Sequence, residues 1–183
     1  MNKDDPEKIF ELQHLENRTI SGTVLLWGLH RTIHIADNQI SEIMADIAVL
    51  VFSRGGNTRK VADAIAEELG IKAGDVTASP LGDAKILFLG SGTYGGKPGE
   101  AMTKFVESAD FTGRKIAIFG TSSSPAGSEK MIAVLADALM KKGATILGNF
   151  HCRGKFLLMN RGHPGKEDLD NAKKFAREML IIH

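Results

Sequence analysis

The chain predicts a doubly wound, three-layer α/β fold: a five-stranded parallel sheet of order 2-1-3-4-5 with helices on both faces. Three observations carry this. From Asp46 onward, apolar runs alternate with helical stripes. The runs are continuous, as in strands buried on both faces of a parallel sheet. The polar, glycine-rich loops follow the first, third and fourth good strands, whose carboxyl ends share one crevice in that order.

Each element follows from its pattern. Residues 47–52 (Ile-Ala-Val-Leu-Val-Phe) form the first buried strand. Residues 57–69 place Val61, Ala62, Ile65, Ala66 and Leu69 on one helical stripe that Gly70 stops. A short strand is expected at 73–77 and a buried one at 85–89, ending in the loop Gly90 to Gly99. A helix with Met102, Phe105 and Val106 runs to about Ser108. Residues 115–119 form the next strand, ending in Gly120-Thr121-Ser122-Ser123-Ser124-Pro125. A helix at 128–142 carries Met131, Val134, Leu135 and Ala138 and ends at Gly143. Residues 144–150 give the fifth strand and 166–181 a last amphipathic helix.

Composition narrows the function classes. The chain has 183 residues, enough for one domain with a full core plus an appendage. Apolar residues make up 43% and charged ones 25%, and no apolar run approaches the roughly 20 residues of a membrane helix. The amino end has neither a basic start nor an apolar signal segment. With Cys152 the sole cysteine, an internal disulfide is excluded, and a reducing, cytoplasmic setting is expected. Net charge is +1, split as −3 over residues 1–43 and +4 over residues 44–183. No block of Lys or Arg suggests a nucleic-acid surface, and neither nucleic acid nor membrane is expected as a partner.

Residues 1–43 stand outside the alternation. Their one apolar run, 23–29, holds the only tryptophan, Trp27. They read either as an N-terminal arm or added strand, or as a non-native extension with Met44 as the natural start. The domain reading is therefore 1–43 as appendage and 44–183 as the α/β domain. Because the alternation is complete from Asp46, the appendage is expected to be dispensable for the fold.

The stretch Ser53-Arg54-Gly55-Gly56-Asn57-Thr58 carries the most chemistry. A buried strand, a loop of glycines and hydroxyls, then a helix amino end is an arrangement that binds phosphate. The same residues also suit an ordinary turn with Asn57 or Thr58 as helix cap. Gly90-Ser91-Gly92-Thr93-Tyr94-Gly95 matches a dinucleotide fingerprint, but Pro98 and Gly99 delay the helix and no acid ends the next strand, so it is rejected. His151 and Cys152 are adjacent and point to opposite faces of a strand, so Cys152 reads as a packed residue and not as a nucleophile. His30 and His34 have no further metal ligand nearby, and His163 before Pro164 reads as a turn residue.

Residues 53–58 resemble the flavodoxin phosphate loop, usually T/S-x-T-G-N-T, and the likeness continues through Gly90-Ser91-Gly92-Thr93-Tyr94 and Gly120-Thr121-Ser122-Ser123. It covers about residues 46–183, close to a whole short-chain flavodoxin. The resemblance implies non-covalently bound FMN. Ser53, Gly55, Gly56, Asn57 and Thr58 would hold its phosphate, with Arg54 in the same loop as an added charge or a solvated surface arginine. Thr93, Tyr94, Gly95 and Gly96 would border the ring on one side, with a carbonyl of Gly95 or Gly96 turned toward flavin N5. Thr121, Ser122 and Ser123 would border the other side.

Departures from the family pattern are informative. Gly55 replaces a threonine, and only Tyr94 supplies an aromatic in these loops, leaving one ring face open or covered by a distant group such as Trp27. The acidic field of electron-carrier flavodoxins is missing, so full reduction of the flavin should be easier than in that family. The expected function is FMN-dependent electron shuttling between redox partner proteins, by a monomer or weak dimer. The rivals are an FMN-dependent reductase of a quinone, flavin or other small acceptor, and a binding module of the same fold without cofactor.

Overall fold

The computed structural model describes residues 23–24, 33–34, 46–78, 81–155 and 160–181. The chain divides into two units, Met1–Glu42 and Ile43–His183. In the first, β1 (Thr23–Val24) pairs antiparallel with β2 (Ile33–His34). Trp27, His30 and Met44 lie outside the described residues.

In the second unit the order is β3 (Ile47–Phe52), α1 (Asn57–Glu68), β4 (Ala73–Asp75), β5 (Ile86–Tyr94), β6 (Lys97–Pro98), α2 (Glu100–Ser108), β7 (Lys115–Ser122), α3 (Pro125–Lys141), β8 (Thr145–Arg153) and α4 (Lys166–Ile181). The sheet runs β4-β3-β5-β7-β8, all pairs on this path parallel. This is the expected 2-1-3-4-5 order.

Side chains alternate between two apolar layers. Leu50, Leu87, Leu89, Ile116 and Ile118 pack under α2 and α3 with Met102, Met131 and Leu135. Val49, Val51, Phe88 and Phe119 pack under α1 and α4 with Val61, Ile65, Phe175 and Met179. Strands buried on both faces need no polar alternate positions, which is why they read as unbroken apolar runs.

Several boundaries differ from expectation, β4 ending already at Asp75. First, β5 does not end at Leu89 but continues to Tyr94, then turns back into β6, adding a sixth short antiparallel strand. Gly95 and Gly96 at the turn have φ of 62° and 78°. Two successive positive φ values define the tight hairpin turn that matches strand twist, which two glycines adopt without strain. Second, β7 and β8 run past Phe119 and Phe150, so Thr121, Ser122, His151 and Cys152 are strand residues. Third, α3 starts at Pro125 and not Ser128, with Ser124 as cap accepting from the Gly127 N–H.

Candidate functional site

The loops after β3, β5 and β7 meet at the carboxyl edge of the sheet around one cavity of about 430 Å³. Of the thirteen residues singled out from the sequence, eleven line it: Ser53, Arg54, Gly55, Asn57, Thr58, Thr93, Tyr94, Gly95, Thr121, Ser122 and Ser123. Gly56 and Gly96 do not. Gly56 precedes α1 with φ of 77°, and Gly96 lies under the Lys130 side chain. Two larger hollows, about 510 and 600 Å³, lie elsewhere and are more open to solvent. The first is lined by the ends of α2 and α3, the second by α1 and α4, and neither gathers the loops of the sheet edge.

The expectation that Asn57 or Thr58 caps α1 is corrected. Gly56 is the cap residue and no side chain bonds the helix amino end. The two candidate caps are engaged elsewhere. Asn57 Nδ2 donates to the Lys155 carbonyl at 2.8 Å, tying the first loop to the segment after β8. Thr58 is 1% exposed, and its hydroxyl pairs with that of Thr121 at 2.8 Å, joining α1 to β7. The amino end of α1 therefore presents N–H groups toward the loop without a side-chain acceptor.

Tyr94 lines the cavity beside Arg54. Its hydroxyl accepts from the Arg54 N–H at 3.2 Å, and the Arg54 guanidinium carbon lies 4.9 Å from the ring centroid. Arg54 is exposed, but it is stacked and not merely solvated. Phe52 packs beside Tyr94 with centroids 6.2 Å apart. Thr93 Oγ1 is buried without a partner among the described residues, a condition it shares only with Ser128 Oγ.

Sequence reasoning missed Gly92, Gly154 and Lys155 as wall residues. A Cβ on Gly92 would come within 3.4 Å of Thr58 Oγ1 and 3.1 Å of Tyr94 Oη, and one on Gly154 within 3.1 Å of Asn57 Nδ2. Gly92 was in view as part of the rejected fingerprint and of the flavodoxin-like stretch Gly90 to Tyr94, but not as a residue of the site. Nothing local signals Gly154 or Lys155, which reach the site only because β8 extends beside β7 and Gly154 donates to the Ser122 carbonyl at 2.8 Å.

The other singled-out residues take structural roles. Cys152 packs with the layer under α1 and α4, whereas His151 on the other face of β8 lies 4.0 Å from Glu129. Burial, then the Asp168 carboxylate, push the Cys152 thiol up to about 12. Alkylation by iodoacetamide at pH 8 is therefore expected to be on the order of 100-fold slower than for a free thiol. Reaction at the free-thiol rate, read by intact mass, would contradict this. His163 closes a turn with Asn160 and pairs with Asp168 at 2.7 Å. Among the described residues no His, Cys, Asp or Glu cluster could hold a metal ion, and no helix is long and apolar enough to cross a membrane.

Comparison with known proteins agrees with this architecture. An uncharacterised protein of Methanocaldococcus jannaschii is 33% identical over 135 residues, covering 68% of this chain and 90% of that protein. In fold, the chain is similar to oxidised flavodoxin 1 from Bacillus cereus (TM-score 0.58, 24% identity, 74% of this chain and 97% of that one). It is also similar to a flavodoxin from the domain Archaea (TM-score 0.60, 19% identity, 75% and 99%). The flavodoxin domain family model matches residues 48–159. By the strand order, the loop cavity and this match, the chain belongs to the flavodoxin family.

Proposed function

We propose that the chain binds FMN in the cavity at the carboxyl edge of the sheet and passes electrons between redox partners. The observation that carries this is the uncapped amino end of α1, set behind a glycine and hydroxyl loop inside a cavity built from three loops. Such an end favours an anion. The residues present fit the group. The loop from Ser53 to Thr58 offers backbone N–H groups and hydroxyls to a phosphate. Thr93 Oγ1, buried and unpartnered, offers a hydrogen bond within the cavity wall. At about 430 Å³ the cavity lies in the usual range of small-molecule sites, about 300–1,000 Å³.

When bound, the flavin supplies the redox chemistry, and the protein sets its position and surroundings. Asn57 and Thr58 hold the phosphate loop against β7 and the segment after β8. Gly95 and Gly96, free to adopt positive φ, let the turn beside the ring reorient its carbonyls at little steric cost.

Titration followed by flavin fluorescence tests the reading. FMN should bind at least about 100-fold more tightly than riboflavin, the worth of one or two hydrogen bonds to a charged group. Equal affinities would sink the phosphate-loop assignment. NAD(P)H oxidation by the loaded chain alone would favour direct reduction of a small acceptor over shuttling.

Gly55 gives a second check. Its φ lies outside the left-handed range, and an added Cβ would meet only Asn57 Nδ2, at 3.9 Å. Gly55→Thr should therefore fold normally and restore a hydroxyl, tightening FMN binding about tenfold with riboflavin unchanged. An equal effect on both ligands would place the phosphate elsewhere.

A further inference from the structure

Two cations, Arg54 and Lys155, line the loop cavity, and two more, Lys97 and Lys130, lie on the β5–β6 hairpin that borders it or across it. Arg54, after β3, is stacked on Tyr94. Lys97 stands opposite Tyr94 across the β5–β6 hairpin. Lys130, on α3, crosses the same hairpin, since an added Cβ on Gly96 would fall 2.8 Å from its Cδ. Lys155, after β8, lines the cavity itself. All four are exposed, and among the described residues none forms an ion pair.

Most carboxylates at this end of the sheet are engaged; Glu167, beside the end of β8, has no partner among the described residues. Glu100 pairs with Lys104 at 2.7 Å, Asp75 accepts from Thr77 at 2.8 Å, and Glu129 faces His151. After Lys104, the charge of Arg54 also helps hold the Glu100 carboxyl below its ordinary value, so Glu100 offsets part of one cation. No Asp or Glu lines the cavity.

We infer that this rim is a docking surface for an acidic redox protein, whose carboxylates face the four cations while its redox group approaches the cavity. The inference rests on the electron-transfer reading above. Exposed lysines taken singly are worth little binding energy. Grouped at the cavity through which electrons would pass and at its bordering hairpin, they steer and orient a partner of opposite charge. An acidic protein fits better than a nucleic acid. The cations cluster at the cavity and its bordering hairpin instead of following a stripe, and Tyr94, with Arg54 over one ring face, is the only aromatic among the lining residues, too few for a run of stacked bases.

The test uses the flavin-free full chain, nitrogen-15 labelled, titrated with an acidic [2Fe–2S] ferredoxin as probe and basic cytochrome c as counter-probe. Amide shifts and paramagnetic broadening should concentrate at Arg54, Lys97, Lys130 and Lys155 and disappear at high salt. The double variant Lys97→Glu, Lys130→Glu should weaken ferredoxin association about tenfold or more, whereas Lys72→Glu should not. Absent or scattered perturbations, equal binding of cytochrome c, or tighter binding of a single-stranded oligonucleotide at the rim would each overturn the proposal. Because this map needs no flavin, a chain that fails to bind FMN yet docks ferredoxin would overturn only the cofactor reading. A chain that binds FMN but ignores ferredoxin would overturn only the docking surface.

Discussion

Replacing Gly90 with valine is expected to destabilise the domain by about 3 kcal/mol or more, although valine is among the best strand formers. Gly90 lies mid-strand in β5, paired with Val51 on one side and Phe119 on the other. A Cβ built there would fall within 3.0 Å of three ring carbons of Phe119. That ring cannot swing out cheaply, because it is 0% exposed within the layer that also holds Phe88, Val51 and Phe175. A loss of this size should lower Tm by roughly 6–12 °C. Phe119→Leu in the Gly90→Val background should recover part of the loss, giving a coupling energy in a double-mutant cycle. Thermal melts of the four proteins decide it; additive losses would show that the two positions do not compete for the same space.

Asn57→Asp is expected to weaken FMN binding on the order of 100-fold, about 2.7 kcal/mol. Two effects add. The aspartate cannot donate to the Lys155 carbonyl, which Asn57 reaches at 2.8 Å, so the tie between the phosphate loop and the segment after β8 is lost. A lost bond of this kind, exposed so that water can take the donor's place, costs about 0.5–1.5 kcal/mol. The new carboxylate also brings negative charge to a loop expected to hold a phosphate, a repulsion that solvent screens only partly at such close range. Asn57→Ala removes the bond without adding charge and separates the two, with an expected loss of about tenfold. Riboflavin, which lacks the phosphate, should respond equally to both variants. If both variants weaken FMN equally as well, the phosphate does not lie beside Asn57.

Much of the domain was legible in the chain because burial on both faces leaves a strong local mark. Ile47–Phe52 and Lys115–Phe119 read as strands since every side chain in them but that of Lys115 meets a helix layer, so nearly every position is apolar. The stripe Val61, Ala62, Ile65, Ala66 on α1 was legible for the corresponding reason: one helical face packs on the sheet. The site was legible as far as its glycines and hydroxyls collect after successive strands, and parallel topology then brings those strand ends to one edge.

What lay beyond the sequence depended on contacts between distant residues. Gly92, Thr93 and Tyr94 looked like loop, yet they continue β5, because β7 pairs with it as far as Thr121 opposite Gly92 and β6 then pairs with Thr93 and Tyr94. Asn57 and Thr58 looked like helix caps, since local chemistry suits them to it. The fold instead places the Lys155 carbonyl and the Thr121 hydroxyl within hydrogen-bond reach and so leaves the end of α1 without a side-chain acceptor. Local propensity determined the strands, the helices and the polar loops at the sheet edge. Tertiary packing decided which donors in those loops remain free, because a hydrogen-bonding group is committed by whichever partner the fold brings within about 3 Å of it.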